Sequence, residues 1–242
     1  YGNAIIFTAP SNSKKGKDSW TGKPFTQLYI GDPANGKNQP VTIDMAVDMH
    51  TGSPAIYDSK MMYFTSNSLK PTKYNEYNLH IAMAGKTNGG QWVHSGIFPY
   101  SSPEYSTAYP CFSANDSIMI FSSDKMGGKG GFDLYMCHWK LGKWDEPIHL
   151  MEISTTADDI FPWIDGDDTL YFSTEGLSGM GGLDIYRVSL KEIKTMPPTN
   201  IGLPYNSAAD DFGYIRQENM VYISSNRSGM DKIYKSVIIN NH

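Results

Sequence analysis

The 242-residue sequence predicts an all-β protein: a five-bladed β-propeller of four-stranded antiparallel blades, with the first and last blades incomplete. Three observations predict it. A motif recurs along the whole chain at steps of 51 to 57 residues. Each copy gathers four short runs rich in aromatic and β-branched residues, bounded by Gly, Asn, Asp or Pro. No long stretch has helical periodicity, and residues 189–194 make at most one turn. Units of ~40–50 residues with four strands each are propeller blades, because a lone sheet of this kind cannot bury both of its faces.

The copies run in order. The chain opens in Tyr1-Gly2-Asn3-Ala4-Ile5-Ile6-Phe7, the edge of a strand, and Phe7 with Gln27-Leu28-Tyr29 forms a first copy split by a large insertion. Residues 64–80 read FTSNSLKPTKYNEYNLH, a copy with a long middle. Residues 121–135 read FSSDKMGGKGGFDLY and residues 172–186 read FSTEGLSGMGGLDIY. Residues 223–234, ISSNRSGMDKIY, are a shortened copy. A second series precedes them: SPAIY at Ser53, YPCFS at Tyr109, FPWID at Phe161 and FGYIR at Phe212, with an apolar fourth member each time (Ile56, Phe112, Ile164, Ile215). Gly90-Gln91-Trp92 and Gly142-Lys143-Trp144 introduce a last short run.

With strands lettered A to D from axis to rim, the third copy places A at about 109–113, B at 117–122, C at 132–139 and D at 145–151. The blades then span about 1–48, 49–102, 103–154, 155–206 and 207–242 of one domain. The first lacks nearly all of A and the fifth has no D after Ile239. The strands of Phe7 and Tyr234 are expected in adjacent blades at the ring seam.

Composition bounds the function. Twenty basic against twenty-five acidic side chains give a net charge of −5. That balance argues against a duplex nucleic-acid partner, which calls for a basic footprint. No run approaches the ~18 apolar residues of a membrane span. Cys111 falls on an A strand and Cys137 on a C strand with B between them. Strands ~4.8 Å apart put them ~10 Å from each other, beyond the ~7 Å a disulfide spans, so buried free thiols are expected.

The turns at Gly127–Gly131 and Gly179–Gly182 are rich in glycine, yet no Lys-Ser/Thr pair or helix follows, as a phosphate loop requires. They connect two strands of one blade. Asp133 and Asp184 beside them are placed to accept turn N–H groups. Calcium would ask for a denser ligand ladder. The six histidines, His50, His80, His94, His138, His149 and His242, show no ligand spacing. No cofactor and no metal are expected. Asp158-Asp159 and Asp210-Asp211 raise the question of a glycosidase, which needs two carboxylates in unlike environments. Their equivalent places in the repeat argue for a shared capping role.

B-to-C turns and D-to-A connections should emerge on one face. The A-strand starts there bear Tyr109, Phe161, Trp163, Phe212 and Tyr214. Two readings stand for these rings: filling of the axial core, or an aromatic anchor for a partner peptide. The candidate partner-binding set is Tyr109, Asp158, Asp159, Phe161, Trp163, Asp210, Asp211 and Tyr214, its acids favouring a segment with Lys or Arg.

The Phe-Pro or Tyr-Pro strand, the (F/I)SS(D/N)(K/R) turn and the GGxGG(x)D-(I/L)-Tyr strand together resemble the WD-like propeller repeats related to those of TolB. LYFSTEGLSGMGGLDIY and NSAADDFGYI…VYISSNRSGM are similar to the propeller module of OmpA-family proteins of Bacteroidota, including those of the type IX secretion system. The likeness covers almost the whole chain. It departs at Thr8-Ala9-Pro10, Glu175-Gly176 and Lys232. It implies a non-catalytic, periplasmic, outer-membrane-associated scaffold that binds a protein or peptide segment of an envelope assembly. Peptidoglycan would be met only through a domain outside this chain. The alternative is a glycan- or small-ligand-binding propeller, with or without hydrolysis.

Overall fold

A computed structural model describes residues 4–11, 17–18, 22–45, 49–68, 70–74 and 76–238. The Tyr1-Gly2-Asn3 opening, the middle of the first insertion, and Ile239 and His242 lie outside the described residues. The chain is a five-bladed β-propeller of small, mainly antiparallel sheets with three to five strands each. Contacts divide it into two compact units, residues 1–110 and 111–242.

In the first unit, β1 (Ile5–Pro10), β2 (Thr26–Gly31) and β3 (Asn38–Pro40) form the first blade in that order. These are strands B, C and D of the repeat. The second blade follows the order β4 (Ile43–Asp44), β8 (Trp92–Ile97), β7 (Leu79–Lys86), β6 (Met61–Asn67), β5 (Thr51–Tyr57). Its rim strand β4 pairs parallel with β8, which a four-stranded blade does not anticipate. Leu28, Met62, Phe64, Ala82 and Ala84 form the core between these blades. The third blade begins with β9 (Thr107–Phe112).

In the second unit, β10 (Ile118–Ser123), β11 (Asp133–Lys140), β12 (Lys143–Trp144) and β13 (Ile148–His149) complete the third blade. The fourth runs β14 (Asp159–Ile164), β15 (Thr169–Thr174), β16 (Asp184–Ser189), β17 (Thr199–Asn200). The fifth has β18 (Asp211–Gln217), β19 (Met220–Ser225) and β20 (Lys232–Val237), with no fourth strand among the described residues. B strands β6, β10 and β15 are buried on both faces over nearly their whole length. Their continuous apolar and small hydroxyl residues reflect that double burial. One core joins Ile120, Leu134 and Leu150 to Ile164, Leu170 and Phe172, and another joins Tyr171 and Ile185 to Tyr214, Val221 and Ile223. Cys111 and Cys137 are free and buried on β9 and β11, with β10 between.

Three of the A strands, β5, β14 and β18, carry a bulge. Register slips between Gly52 and Ala55, Ile160 and Trp163, and Phe212 and Ile215. Inside the bulge Ser53, Phe161 and Gly213 take φ of 44°, 54° and 66°, and Tyr109 at the matching place on β9 takes 56°. Pro54, Pro110 and Pro162 come next, and a residue without an N–H suits a position that leaves the ladder. This corrects the alignment of the last copy. Gly213, not Phe212, is the counterpart of Phe161, and Ile215 is the counterpart of Trp163. The shared feature is a left-handed backbone, which glycine adopts without a Cβ penalty, and not an aromatic side chain.

Candidate functional site

The acidic pairs are the first place to look for chemistry, and the structure spends them on joining blades. Asp158 Oδ1 accepts the Phe132 N–H at 2.8 Å, and Asp210 Oδ1 accepts the Leu183 N–H at 3.0 Å. Phe132 and Leu183 each stand one residue ahead of the C strand of the preceding blade. The same bond recurs in the first unit with other chemistry: Leu79 N–H to Ser106 Oγ at 3.2 Å, and Thr26 N–H to His50 Nδ1 at 3.2 Å. His50, Ser106, Asp158 and Asp210 each stand three residues ahead of the left-handed bulge residue. A second tie joins the bulge N–H to a B-strand hydroxyl one blade back, Ser53 to Thr8 Oγ1 at 3.1 Å and Tyr109 to Thr65 Oγ1 at 2.8 Å. Ser122 and Ser173 occupy that hydroxyl place in the next two blades, and both Oγ atoms are buried without a partner.

The second acid of each pair is fully buried. Asp159 takes the Thr155 N–H at 2.7 Å and the Thr155 hydroxyl at 3.0 Å. Asp211 takes the Ser207 N–H at 2.6 Å and hydroxyl at 2.7 Å, and pairs with the Arg227 guanidinium. Arg227 also donates to the Pro204 and Tyr205 carbonyls and lies over the Tyr234 ring. Its role went unread in the sequence, although an Arg or Lys at that turn position is part of the motif.

The glycine turns fill the remaining space against these loops. As expected, Asp133 Oδ2 accepts the Lys129 N–H at 2.8 Å, and Asp184 Oδ2 accepts the Met180 and Gly181 N–H groups at 2.6 and 3.1 Å. A Cβ on Gly128 or Gly179 would stand 1.8 or 1.7 Å from those carboxylates. On Gly130 or Gly181 it would meet the Ala157 or Ala209 carbonyl of the next blade's loop at 2.5 or 2.1 Å. B-to-C turns and the loops ahead of the A strands therefore do share one face within the second unit.

Two clusters have the residue types of a hydrolytic triad. In one, Ser154 Oγ at 3.0 Å and Asp133 Oδ1 at 3.6 Å both face His149 Nε2. A relay needs them on opposite ring nitrogens, so the set cannot act as one. In the other, Thr26 Oγ1 lies 3.1 Å from His50 Nδ1, and Asp18 Oδ2 lies 3.6 Å from Nε2. Here Nδ1 already accepts the Thr26 N–H, the bond that ties blades elsewhere. Among the described residues, no group of three or more His, Cys, Asp or Glu side chains could hold a metal ion.

The aromatic candidates separate. Phe161 and Phe212 are both half-buried and stack at 4.9 Å. Tyr214 is buried, lies flat on Tyr171 at 4.1 Å and touches Trp163 and Tyr205. Burial first, then the neighbouring tyrosines, pushes its phenol up, out of ordinary titration. It fills the core between the fourth and fifth blades, and Trp163 packs half-buried against that core. Tyr109, in the first unit, is half-buried. Around the turns of the second unit, Met126, Met180 and Met230 are exposed.

No protein-family model matches the chain, and no curated protein matches it. Solved structures do. TolB from Acinetobacter baumannii superposes with a TM-score of 0.53 at 15% identity, over 97% of this chain and 52% of that one. A putative TolB from Agrobacterium tumefaciens gives 0.54 at 13% identity, over 97% and 80%. A GH43 endo-arabinanase from Bacillus licheniformis gives 0.56 at 11% identity, over 98% and 90%. The chain thus spans about half the length of the Acinetobacter protein. At these identities the likeness is one of fold, and it is shared by TolB-type propellers and a glycosidase alike.

Proposed function

We propose that this propeller is a non-catalytic protein-interaction module of a bacterial envelope assembly, on the periplasmic side of the outer membrane, in type IX secretion. The observation that carries it is the commitment of the acidic pairs. The carboxylates that a glycosidase would need free are bonded to backbone N–H groups, buried, or ion-paired. The repeat motifs, which resemble those of OmpA-family envelope proteins, support the setting. Peptidoglycan contact belongs to a domain outside this chain.

The partner is an extended protein segment that meets the face of the B-to-C turns. Phe161 and Phe212 offer their rings, with Trp163 contributing apolar edge. Asp158 and Asp210 contribute negative charge beside those rings while holding the C-strand N–H groups. Asp159, Asp211 and Tyr214 act from beneath by holding the loops. Loops on a rigid framework are the usual place for such contacts.

Capture of partners from native envelope by the immobilised chain tests this. Phe161→Gly combined with Phe212→Ala should weaken capture roughly tenfold or more, since anchor truncations often cost over ~1.4 kcal/mol. Leu141→Asn, at a fully exposed position in the C-to-D turn, should leave it intact. Normal capture by the folded double variant would remove the face assignment. Turnover of arabinan or another glycoside by the wild-type chain would favour the glycan reading instead.

A further inference from the structure

The two blade junctions of the second unit hold the same carboxylate with unequal compensation. Asp159 and Asp211 occupy one repeat position, opposite Thr174 and Ser225. Asp211 meets the Arg227 guanidinium. Two residues beyond Thr174, the counterpart of Arg227 is Gly176. A Cβ there would stand 2.1 Å from Thr155 Oγ1, so no longer side chain fits. Asp159 has only the neutral donors of Thr155, with the Thr174 hydroxyl beside them.

Across the junction the Asp159 N–H donates to the Phe132 carbonyl at 2.7 Å, which brings the next residue, Asp133, near. Asp133 is fully buried, and its Oδ1 has no hydrogen-bond partner. The other charged or titratable groups around the pair are otherwise engaged. The Lys129 ammonium donates to the Ser154 carbonyl at 3.2 Å, and Asp158 holds the Phe132 N–H. His149 Nε2 bonds Ser154 Oγ and stays 3.6 Å from Asp133 Oδ1. Glu175, next to Gly176, is exposed. Two buried acids therefore share a seam that has no guanidinium like the one on Asp211.

We propose that Asp159 is a proton-operated latch: a proton on its carboxyl tightens the seam between the third and fourth blades, and ionisation loosens it. A protonated carboxyl accepts the Thr155 N–H with one oxygen and donates to a threonine hydroxyl with the other. The ionised form places a second negative charge near Asp133, with only neutral donors on Asp159 itself. Burial first, and then the Asp133 charge, raises the Asp159 carboxyl to about 6 against the pull of its hydrogen bonds. The unfolded carboxyl titrates near ~3.9. The folded state thus holds a proton that the unfolded state releases between those values. The stability so gained is full below ~3.9 and is lost as pH rises through about 6.

Asp159→Asn copies the protonated form. Thermal melts of the full chain from pH 5 to 8 should show the variant roughly 2–6 °C above wild type at pH 7.5, with the gap closing towards pH 5. Asp211→Asn, at the equivalent but Arg-paired position, should melt below wild type throughout. A direct check uses the wild-type protein alone: ¹³C-carboxyl resonances should show one aspartate titrating near pH 6. An Asn variant that melts no higher than wild type at pH 7.5, or a gap that does not close, overturns the latch. Should the variant fail to fold, an Asp159 resonance that titrates in the ordinary range near ~4 does the same.

Discussion

At Asp158 the structural duty of one oxygen sets a testable cost. Asp158→Ala removes the carboxylate that accepts the Phe132 N–H at a blade junction, and deleting the acceptor of a part-buried donor costs ~1–3 kcal/mol. That is roughly 2–10 °C of melting temperature in a chain of this size. Asp210→Ala should cost more, because the Asn226 amide also donates to it at 2.7 Å. Asp158→Asn should cost less, since its carbonyl oxygen can still accept. Melting curves read all three, with exchange of the Phe132 amide for the Asp158 variants and of the Leu183 amide for Asp210→Ala. Phe161 poses the opposite case. Its φ of 54° is a left-handed backbone that costs ~1–2 kcal/mol in a residue with a Cβ. Phe161→Gly relieves that cost and gives up the stack on Phe212, worth ~0.5–1.5 kcal/mol. The melt should move by no more than about 4 °C, and a larger drop would assign the ring to the core. At this scale the sequence showed which residues repeat but not what they do. Asp158 and Asp210 share a residue type, yet His50 and Ser106 accept the same N–H with unlike side chains. Matching Phe212 to Phe161 failed because the repeat conserves a backbone angle there.

Between strands, the glycine turns work by close approach. Gly181→Ala would drive a Cβ to 2.1 Å from the Ala209 carbonyl, a backbone atom that cannot swing aside. Gly166, in the A-to-B turn of the same blade, has nothing within 4 Å of an added Cβ. Gly181→Ala should therefore lower the melting temperature well beyond Gly166→Ala, which should stay within about 2 °C of wild type. Equal effects would mean the turn and loop are not in contact. The long elements were legible because period and burial agree: β10 and β15 read as buried strands and are buried. The rim was less so. Strands β12, β13 and β17 have two residues each, too few for an alternation to register. Strand β4 pairs parallel with β8 through Ile43 and Asp44 alone, a contact set by where the preceding loop lands and not by a pattern in those residues.

For the whole chain, the two thiols offer a measure of how it opens. Cys111 and Cys137 are both buried, and Cys111 belongs to the core that joins the third and fourth blades. Burial raises both thiols, Cys137 to about 12, so almost no thiolate is available near pH 8. The folded protein should therefore react with no thiol reagent, and the denatured protein should react twice. Labelling in native buffer should proceed only through opening of the third blade and its junction, and its rate should fall when that seam is tightened by Asp159→Asn. The reading of residues 1–242 as one domain adds a sharper expectation. On that reading, amide exchange in β6, from the first unit, and in β10, from the second, should reach the same denaturant midpoint as thiol labelling. Two midpoints divided near residue 110 would instead mean that the units unfold separately. Fast labelling of either cysteine in the intact fold would mean that the junction opens far below the global free energy.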